Sequence, residues 1–202
     1  KELKVIYSSK VTQSDGLDLN SVTYSGREMH GFCDANFQPE RSVSCNIMMF
    51  QNAAFLWRIK KQDTVALSSV ESELVALSAQ AQDVVLCREM FTWLDIPLNP
   101  VTQVCCDNRG AIQNSKHPNY SEKLRHVDNK HFFVREIIQK GIMNIAWLSG
   151  KCNPADIGTK ALGGVQFRAY AEFITNRPLY PKSTKNYRKI ISRMSLLCGR
   201  NH

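Results

Sequence analysis

The chain has 202 residues, 43% of them hydrophobic and 22% charged, with 10 Gly and 7 Pro. That composition buries one sizeable core and excludes a wholly disordered, collagenous or low-complexity chain. No apolar run is long enough to span a membrane, and Lys1-Glu2-Leu3-Lys4 does not open a secretory signal. The 7 cysteines form no Cys-x-x-Cys pair, which points to a reducing, intracellular compartment rather than a disulfide scaffold. The net charge is +8, and Lys182, Lys185, Arg188, Lys189, Arg193 and Arg200 carry much of it in a tail without acids. Such a tail suits a polyanion such as nucleic acid, and equally suits a solvated terminus.

Residues 1–23 are polar and loop-like after a short apolar stretch and read as a linker. Strands are expected at Met29–Asp34, Ser44–Phe50 and Ala53–Ile59, the last two forming a hairpin across Gln51-Asn52. From Ser69 to Leu94, Val70, Leu74, Leu77, Ala81 and Val84 recur at steps of three and four, the stripe of an amphipathic helix. A strand at Val101–Cys106 is closed by Asp107-Asn108-Arg109-Gly110, and a short helix runs through Ala111 and Ile112. Another helix spans Asp128–Lys140, with Phe132, Phe133, Ile137 and Ile138 as its apolar residues and Gly141 as its stop. A fifth strand is expected at Ile142–Leu148, and Asn153-Pro154 opens a further helix, Asn as cap and Pro at its first position. Antiparallel strands followed by helix-separated strands imply an α/β fold with a mixed sheet covered by helices. Tyr187, Ile190, Ile191, Met194, Leu197 and Cys198 place an amphipathic basic helix in the tail, expected to pack onto the domain.

Four carboxylates fall where such a fold gathers them: Asp34 ending the first strand, Asp107 ending the fourth, Glu73 early in the long helix and Asp156 in the first turn of a late one. Clustered carboxylates repel one another until a hard divalent cation neutralises them. At about 100° per residue, Glu73 lies about 60° from the apolar stripe and Glu71 about 100° away on the other side, so Glu73 is the better ligand and Glu71 faces solvent. Singly, each acid also has a structural role: Asp156 favours a helix start, Asp107-Asn108 a turn, and Asp34 with Asn36 a strand end. His126, His131 and Cys152 lack a further donor to complete a zinc site.

The string Gly31-Phe32-Cys33-Asp34-Ala35-Asn36, then Lys60-Lys61-Gln62 and Val65 through Glu73, resembles the ribonuclease H domain of copia-type retrotransposon polyproteins. So do Cys106-Asp107-Asn108 with Ala111-Ile112, Arg125-His126-Val127-Asp128 with His131-Phe132 and Arg135-Glu136, and Ala155-Asp156 with Thr159-Lys160. The resemblance implies a ribonuclease H-like fold with a five-stranded mixed sheet, three strands antiparallel and two parallel. It implies an endonuclease that cuts the RNA strand of RNA/DNA hybrids during retrotransposon reverse transcription. Carried over by position, Asp34, Glu73, Asp107 and Asp156 match the family's catalytic, metal-binding acids, for two Mg²⁺ ions with Mn²⁺ as a substitute. Glu73 is supported by Glu73-Leu74-Val75-Ala76-Leu77, which resembles the Glu-Leu-x-Ala pattern of cellular and retroviral relatives. A reverse transcriptase partner upstream is implied, residues 1–23 being the end of its connection, 24–175 the ribonuclease H-like domain and 176–202 a basic extension. The implied compartment is cytoplasmic, within a virus-like particle, or nuclear.

Two departures stand out. Leu148-Ser149-Gly150-Lys151-Cys152-Asn153 holds no histidine before the last acid, and Ser44-Cys45-Asn46 replaces a Ser-Gly-Tyr-like sequence. Trp57-Arg58-Ile59-Lys60-Lys61 is either a patch contacting hybrid phosphates or a strand with Trp57 in the core and solvated lysines. Arg58, Lys60, Lys61 and Asn108 are the candidate substrate contacts, Asn108 serving equally as a turn residue. The alternatives to the nuclease are a catalytically silent nucleic-acid-binding domain and a same-fold nuclease or integrase acting on duplex DNA.

Overall fold

A computed structural model describes residues 28–116 and 128–176, without the side chains of 128–131. Residues 1–23, the tail helix and His126 lie outside the described residues, as does the side chain of His131.

Three strands come first, β1 (Met29–Asn36), β2 (Val43–Phe50) and β3 (Ala53–Lys61), paired antiparallel in sequence. Gln51 and Asn52 make the β2–β3 turn with φ of 47° and 71°, the left-handed pair that a two-residue hairpin needs. Helix α1 (Ser69–Trp93) then crosses over to β4 (Thr102–Cys106), which lies parallel to β1. Helices α2 (Arg109–Lys116) and α3 (Asp128–Gln139) lead to β5 (Met143–Trp147), parallel to β4. The sheet order is β3-β2-β1-β4-β5, the five-stranded mixed sheet that the resemblance to ribonuclease H implies.

The pleat divides the core in two. Cys33, Ala35, Met48, Val104 and Cys106 point to one face, where Leu74, Leu77, Ala81 and Val84 of α1 and Val134 and Ile137 of α3 cover them. Phe32, Cys45, Ile47 and Cys105 point to the other, covered by Tyr170 and Phe173 of α4 (Gly164–Thr175). In α3 Val134 and Ile137 are buried, while Phe132 is 49% exposed; adjacent residues on a helix diverge by about 100°, so Phe132 and Phe133 cannot share one stripe.

Two features correct or refine the expectations. The segment after Asn153-Pro154 is a five-residue 3-10 turn, Pro154–Gly158, and α4 starts only at Gly164. Asn153 caps it as expected, its Oδ1 accepting from the Ala155 amide at 3.2 Å. The turn ends at Gly158, where a Cβ would stand 2.6 Å from Cys45 Sγ, so the chain lies against β2 instead of extending a helix. The altered Ser44-Cys45-Asn46 keeps β2 unbroken. Asn46 Nδ2 donates to Ala76 O and Gln80 Oε1 at 2.9 Å each, tying the strand to α1. Gly31 lets α1 approach: a Cβ there would lie 2.6 Å from Gln80 Nε2.

Candidate active site

The carboxyl-terminal ends of β1 and β4 lie side by side where the parallel and antiparallel halves of the sheet meet. Asp34 sits near the end of β1 and is fully buried, and Asp107 follows the last residue of β4. Glu73 enters from the first turns of α1 and Asp156 from the 3-10 turn. One carboxylate oxygen from each of Asp34, Asp107 and Asp156 lies within 4.8 Å of the others, and the same spacing joins Glu73, Cys106 and Asp107. Asp107 belongs to both sets, so the four acids singled out in the sequence form one cluster.

Local chemistry sets each position. Ser68 caps α1 by accepting from the Glu71 amide at 3.1 Å, and a Glu71 carboxylate oxygen accepts from the Leu67 amide at 2.7 Å. This capping arrangement engages Glu71 at the helix end and leaves Glu73 facing the sheet. Gln62 Nε2 donates to Ser44 Oγ at 2.7 Å and to Ser72 O at 2.8 Å, fixing the turn that carries Glu73. Asn153 Nδ2 donates to Cys33 O at 2.9 Å, which ties the 3-10 turn to the strand residue before Asp34. Asn36 Nδ2 donates to Thr159 O at 3.1 Å on the same seam.

Thr159 and Lys160 complete the cluster. The Thr159 hydroxyl donates to Asp34, and Lys160 Nζ stands 3.2 Å from Asp34 and 2.6 Å from Asp156, one ammonium bridging two carboxylates. Both are visible in the sequence as part of the Asp156 motif, but nothing in their spacing announces contact with Asp34 more than a hundred residues away. In the loop that lacks a histidine, Gly150 lies against Asp107, a Cβ there falling 2.8 Å from its Oδ2.

The electrostatics follow from burial and like charge. Burial, with Cys106, Asp34 and Asp107 nearby, pushes the Glu73 carboxyl up to about 10. Burial raises Asp156 to about 6 against the pull of Lys160, and raises Asp107 with help from Asp34. Burial opposes the charge on Lys160, but Asp156 and Asp34 outweigh it and hold the ammonium above its ordinary range. Glu73 Oε2 is buried without a hydrogen-bond partner. A donor-free buried oxygen among repelling carboxylates fits a hard divalent cation, which takes oxygen ligands and relieves the repulsion.

The remaining candidates lie around this centre. Asn108 Oδ1 accepts from the Ala111 amide at 3.0 Å and so caps α2. Arg58 pairs with Asp83, Lys60 with Asp63 at 2.7 Å, and Lys61 stands 3.8 Å from Glu40. Trp57 is 61% exposed, so it belongs to the surface patch and not to the core. Ala35 pairs with Ser44 and Ser44 with Lys60, placing Lys60 two strands from the residue after Asp34, about 10 Å across the sheet. Trp147 carries no signal in the sequence that marks it for this centre. Its Nε1 donates to Asp107 O at 3.1 Å, and Arg109 stacks over its ring at 4.4 Å. Cys152, a zinc ligand only on paper, is buried in the apolar cluster with Phe32 and Tyr170.

No protein-family profile matches the chain. It is 25% identical over 150 residues to the retrovirus-related Pol polyprotein from transposon TNT 1-94 of Nicotiana tabacum, covering 72% of this chain and 11% of that protein. It is 27% identical over 150 residues to the corresponding polyprotein from transposon RE2 of Arabidopsis thaliana, covering 72% of this chain and 10% of that protein. Among solved structures, the N-terminal RNase H domain of a Mycobacterium tuberculosis protein aligns with a TM-score of 0.48 at 13% identity, covering 72% of this chain and 97% of that one. Over those 150 residues the chain is similar to a segment of retrotransposon Pol polyproteins, and its sheet order is the one that the sequence resemblance implies. The chain spans about a tenth of the length of the curated relatives it matches.

Proposed function

We propose that the chain is a ribonuclease H that hydrolyses the RNA strand of RNA/DNA hybrids during retrotransposon reverse transcription. The convergence of Asp34, Glu73, Asp107 and Asp156 from four separate segments, with Glu73 Oε2 unpartnered in their midst, is the observation that carries the reading. These acids would hold two Mg²⁺ ions, Mn²⁺ serving as a substitute. Bound there, the cations supply an activated water and neutralise the charge that develops on the leaving oxygen.

The chain's own residues arrange the rest. Thr159 and Lys160 hold Asp34 and Asp156 at the distance their repulsion opposes. Gln62 and Asn153 lock the segments bearing Glu73 and Asp156 onto the sheet, so the ligands are set before substrate arrives. Lys60, Lys61 and Arg58 lie at the same end of the sheet and would contact hybrid phosphates, with Asn108 beside the centre; selectivity would rest on minor-groove shape and 2′-hydroxyl contacts. The domain would extend over residues 24–175, with 1–23 connecting to a reverse transcriptase and 176–202 a basic extension. Among the described residues no helix is long and apolar enough to cross a membrane.

The test is gel analysis of a labelled RNA/DNA hybrid, with RNA and DNA duplex controls, in Mg²⁺, in Mn²⁺ and in chelator. Metal-dependent cleavage of the hybrid's RNA strand alone is expected, abolished by Asp107→Asn in a protein that remains folded by circular dichroism. A hybrid bound but uncut would replace the enzyme with a silent binding domain, and cleavage of duplex DNA would replace its substrate.

A further inference from the structure

Cys106 ends β4 beside Asp107 and points to the face of the sheet that α1 covers. Its Sγ, a Glu73 carboxylate oxygen and an Asp107 carboxylate oxygen lie within 4.8 Å of one another. Glu73 is only 5% exposed, and the structure gives its Oε2 no donor. The hydrogen bond from Cys106 Sγ to Asn108 O is long, at 4.0 Å, and the sulfur's other hydrogen-bond partner is the Cys33 thiol, so no charged group competes for the sulfur. A hard ion such as Mg²⁺ has no use for sulfur, whereas one thiolate with two carboxylates suits zinc and its heavier relative cadmium.

We propose that Glu73, Cys106 and Asp107 form a site for a thiophilic divalent cation, zinc in the cell, whose occupation takes Glu73 and Asp107 away from Mg²⁺. The inference rests on the reading of these two acids as cation ligands. On binding, the Cys106 thiol proton and the Glu73 carboxyl proton pass to solvent and the sulfur and carboxylates bond the ion, with water completing a tetrahedral set. Glu73 offers its partnerless oxygen to the ion, so no hydrogen bond is broken at that atom. Among the described residues no other cysteine joins two further such donors at this spacing. Zinc is thereby an inhibitor that acts by occupying the centre, not by binding elsewhere.

The experiment is titration of the full chain with Cd²⁺, read by the ultraviolet sulfur-to-cadmium charge-transfer band, with Zn²⁺ added to displace it. The wild type is expected to show the band for one equivalent and lose it to Zn²⁺. Cys106→Ala should remove that equivalent, while Cys87→Ala, in the last third of α1, should keep it. Glu73→Gln retains the thiol and should weaken Cd²⁺ binding roughly tenfold or more. This second variant guards against Cys106→Ala simply failing to fold, which circular dichroism would reveal. A band of equal strength in Cys106→Ala, or an affinity unmoved by Glu73→Gln, overturns the proposal. Absence of hybrid cleavage in Mg²⁺ with the cadmium band intact would instead overturn only the nuclease reading.

Discussion

Replacing Glu73 by Gln in metal-free protein isolates the electrostatic cost of building the acidic cluster. The side chain keeps its size, and only the ability to ionise is lost. In the unfolded chain Glu73 releases its proton near 4.5, but in the folded chain burial and its neighbours hold the proton until about 10. Between those values the folded state binds the extra proton, so stability is greatest at and below about 4.5 and declines as pH rises. The slope is about 1.4 kcal/mol per pH unit, which amounts to about 3 kcal/mol lost by pH 7. Gln carries no such penalty. In chelator at pH 7 the variant should therefore exceed the wild type by up to about 3 kcal/mol, or roughly 5–10 °C in Tm for a chain of this size. At pH 4.5 the difference should vanish. Thermal melts followed by far-ultraviolet circular dichroism across this range, repeated in Mg²⁺, measure both effects. Mg²⁺ should raise the wild-type Tm more than the variant's, because the ion relieves a repulsion that Gln has already removed. A variant less stable than wild type in chelator at pH 7, or a difference that does not change with pH, would show that Glu73 carries no such cost.

The other expectations concern the residues that hold the cluster together. Gly150→Ala drives a Cβ to 2.8 Å from Asp107 Oδ2. Because the far end of a side chain can yield, Tm in chelator should move little while hybrid cleavage falls by roughly tenfold to a hundredfold; unchanged cleavage would show that Asp107 need not sit where it does. Lys160→Met removes the ammonium shared by Asp34 and Asp156. Since the Lys160 side chain is 39% exposed, the loss in chelator should be only about 1–3 kcal/mol, and Mg²⁺ should restore part of it and bind more tightly than to wild type. Calorimetric titration with Mg²⁺ alongside chelator melts checks both, and a variant as stable as wild type without metal would count against the bridging role.

Much of this architecture is legible in the sequence because local and global signals agree. The Val70 to Val84 stripe marks the buried face of α1, and the same periodicity separates Glu73 from Glu71. Ser68 and Glu71 supply an independent reason for that separation, a capping pair the stripe alone does not reveal. Gly141, at φ 67°, stops α3 where expected. The parts that escape depend on contacts far apart in sequence. A proline after an asparagine is the same signal for a 3-10 turn as for an α-helix, and only the packing of Gly158 against Cys45 decides between them. Asn46 reads as a poor strand residue until its bonds to Ala76 and Gln80 are seen, and Phe132 reads as core until α3 is docked. The pairing of Arg58 with Asp83 on α1 is a contact of the same kind, since no spacing rule connects the two.

The polar residues that escape a sequence reading share one physical task. A cluster of buried acids destabilises the fold that contains it, so the segments bearing those acids must be secured by bonds that do not involve the acids themselves. Gln62 secures the start of α1 through Ser44 and Ser72, and Asn153 secures the 3-10 turn through Cys33. Both side chains are nearly fully buried, at 3% and 0% exposure, where the bonds made by their amide nitrogens fix a single geometry. Lys160 and Thr159 act differently, since they touch the acids directly and offset part of the repulsion on the Asp34 and Asp156 side. Among the described residues no cation favours ionisation of Glu73, and the Ala35 backbone alone eases it. The cluster is therefore unevenly compensated, and its least compensated corner is Glu73, which is also where the structure leaves an oxygen without a donor. A bound cation gains most at that corner, and it should be the first position to fill.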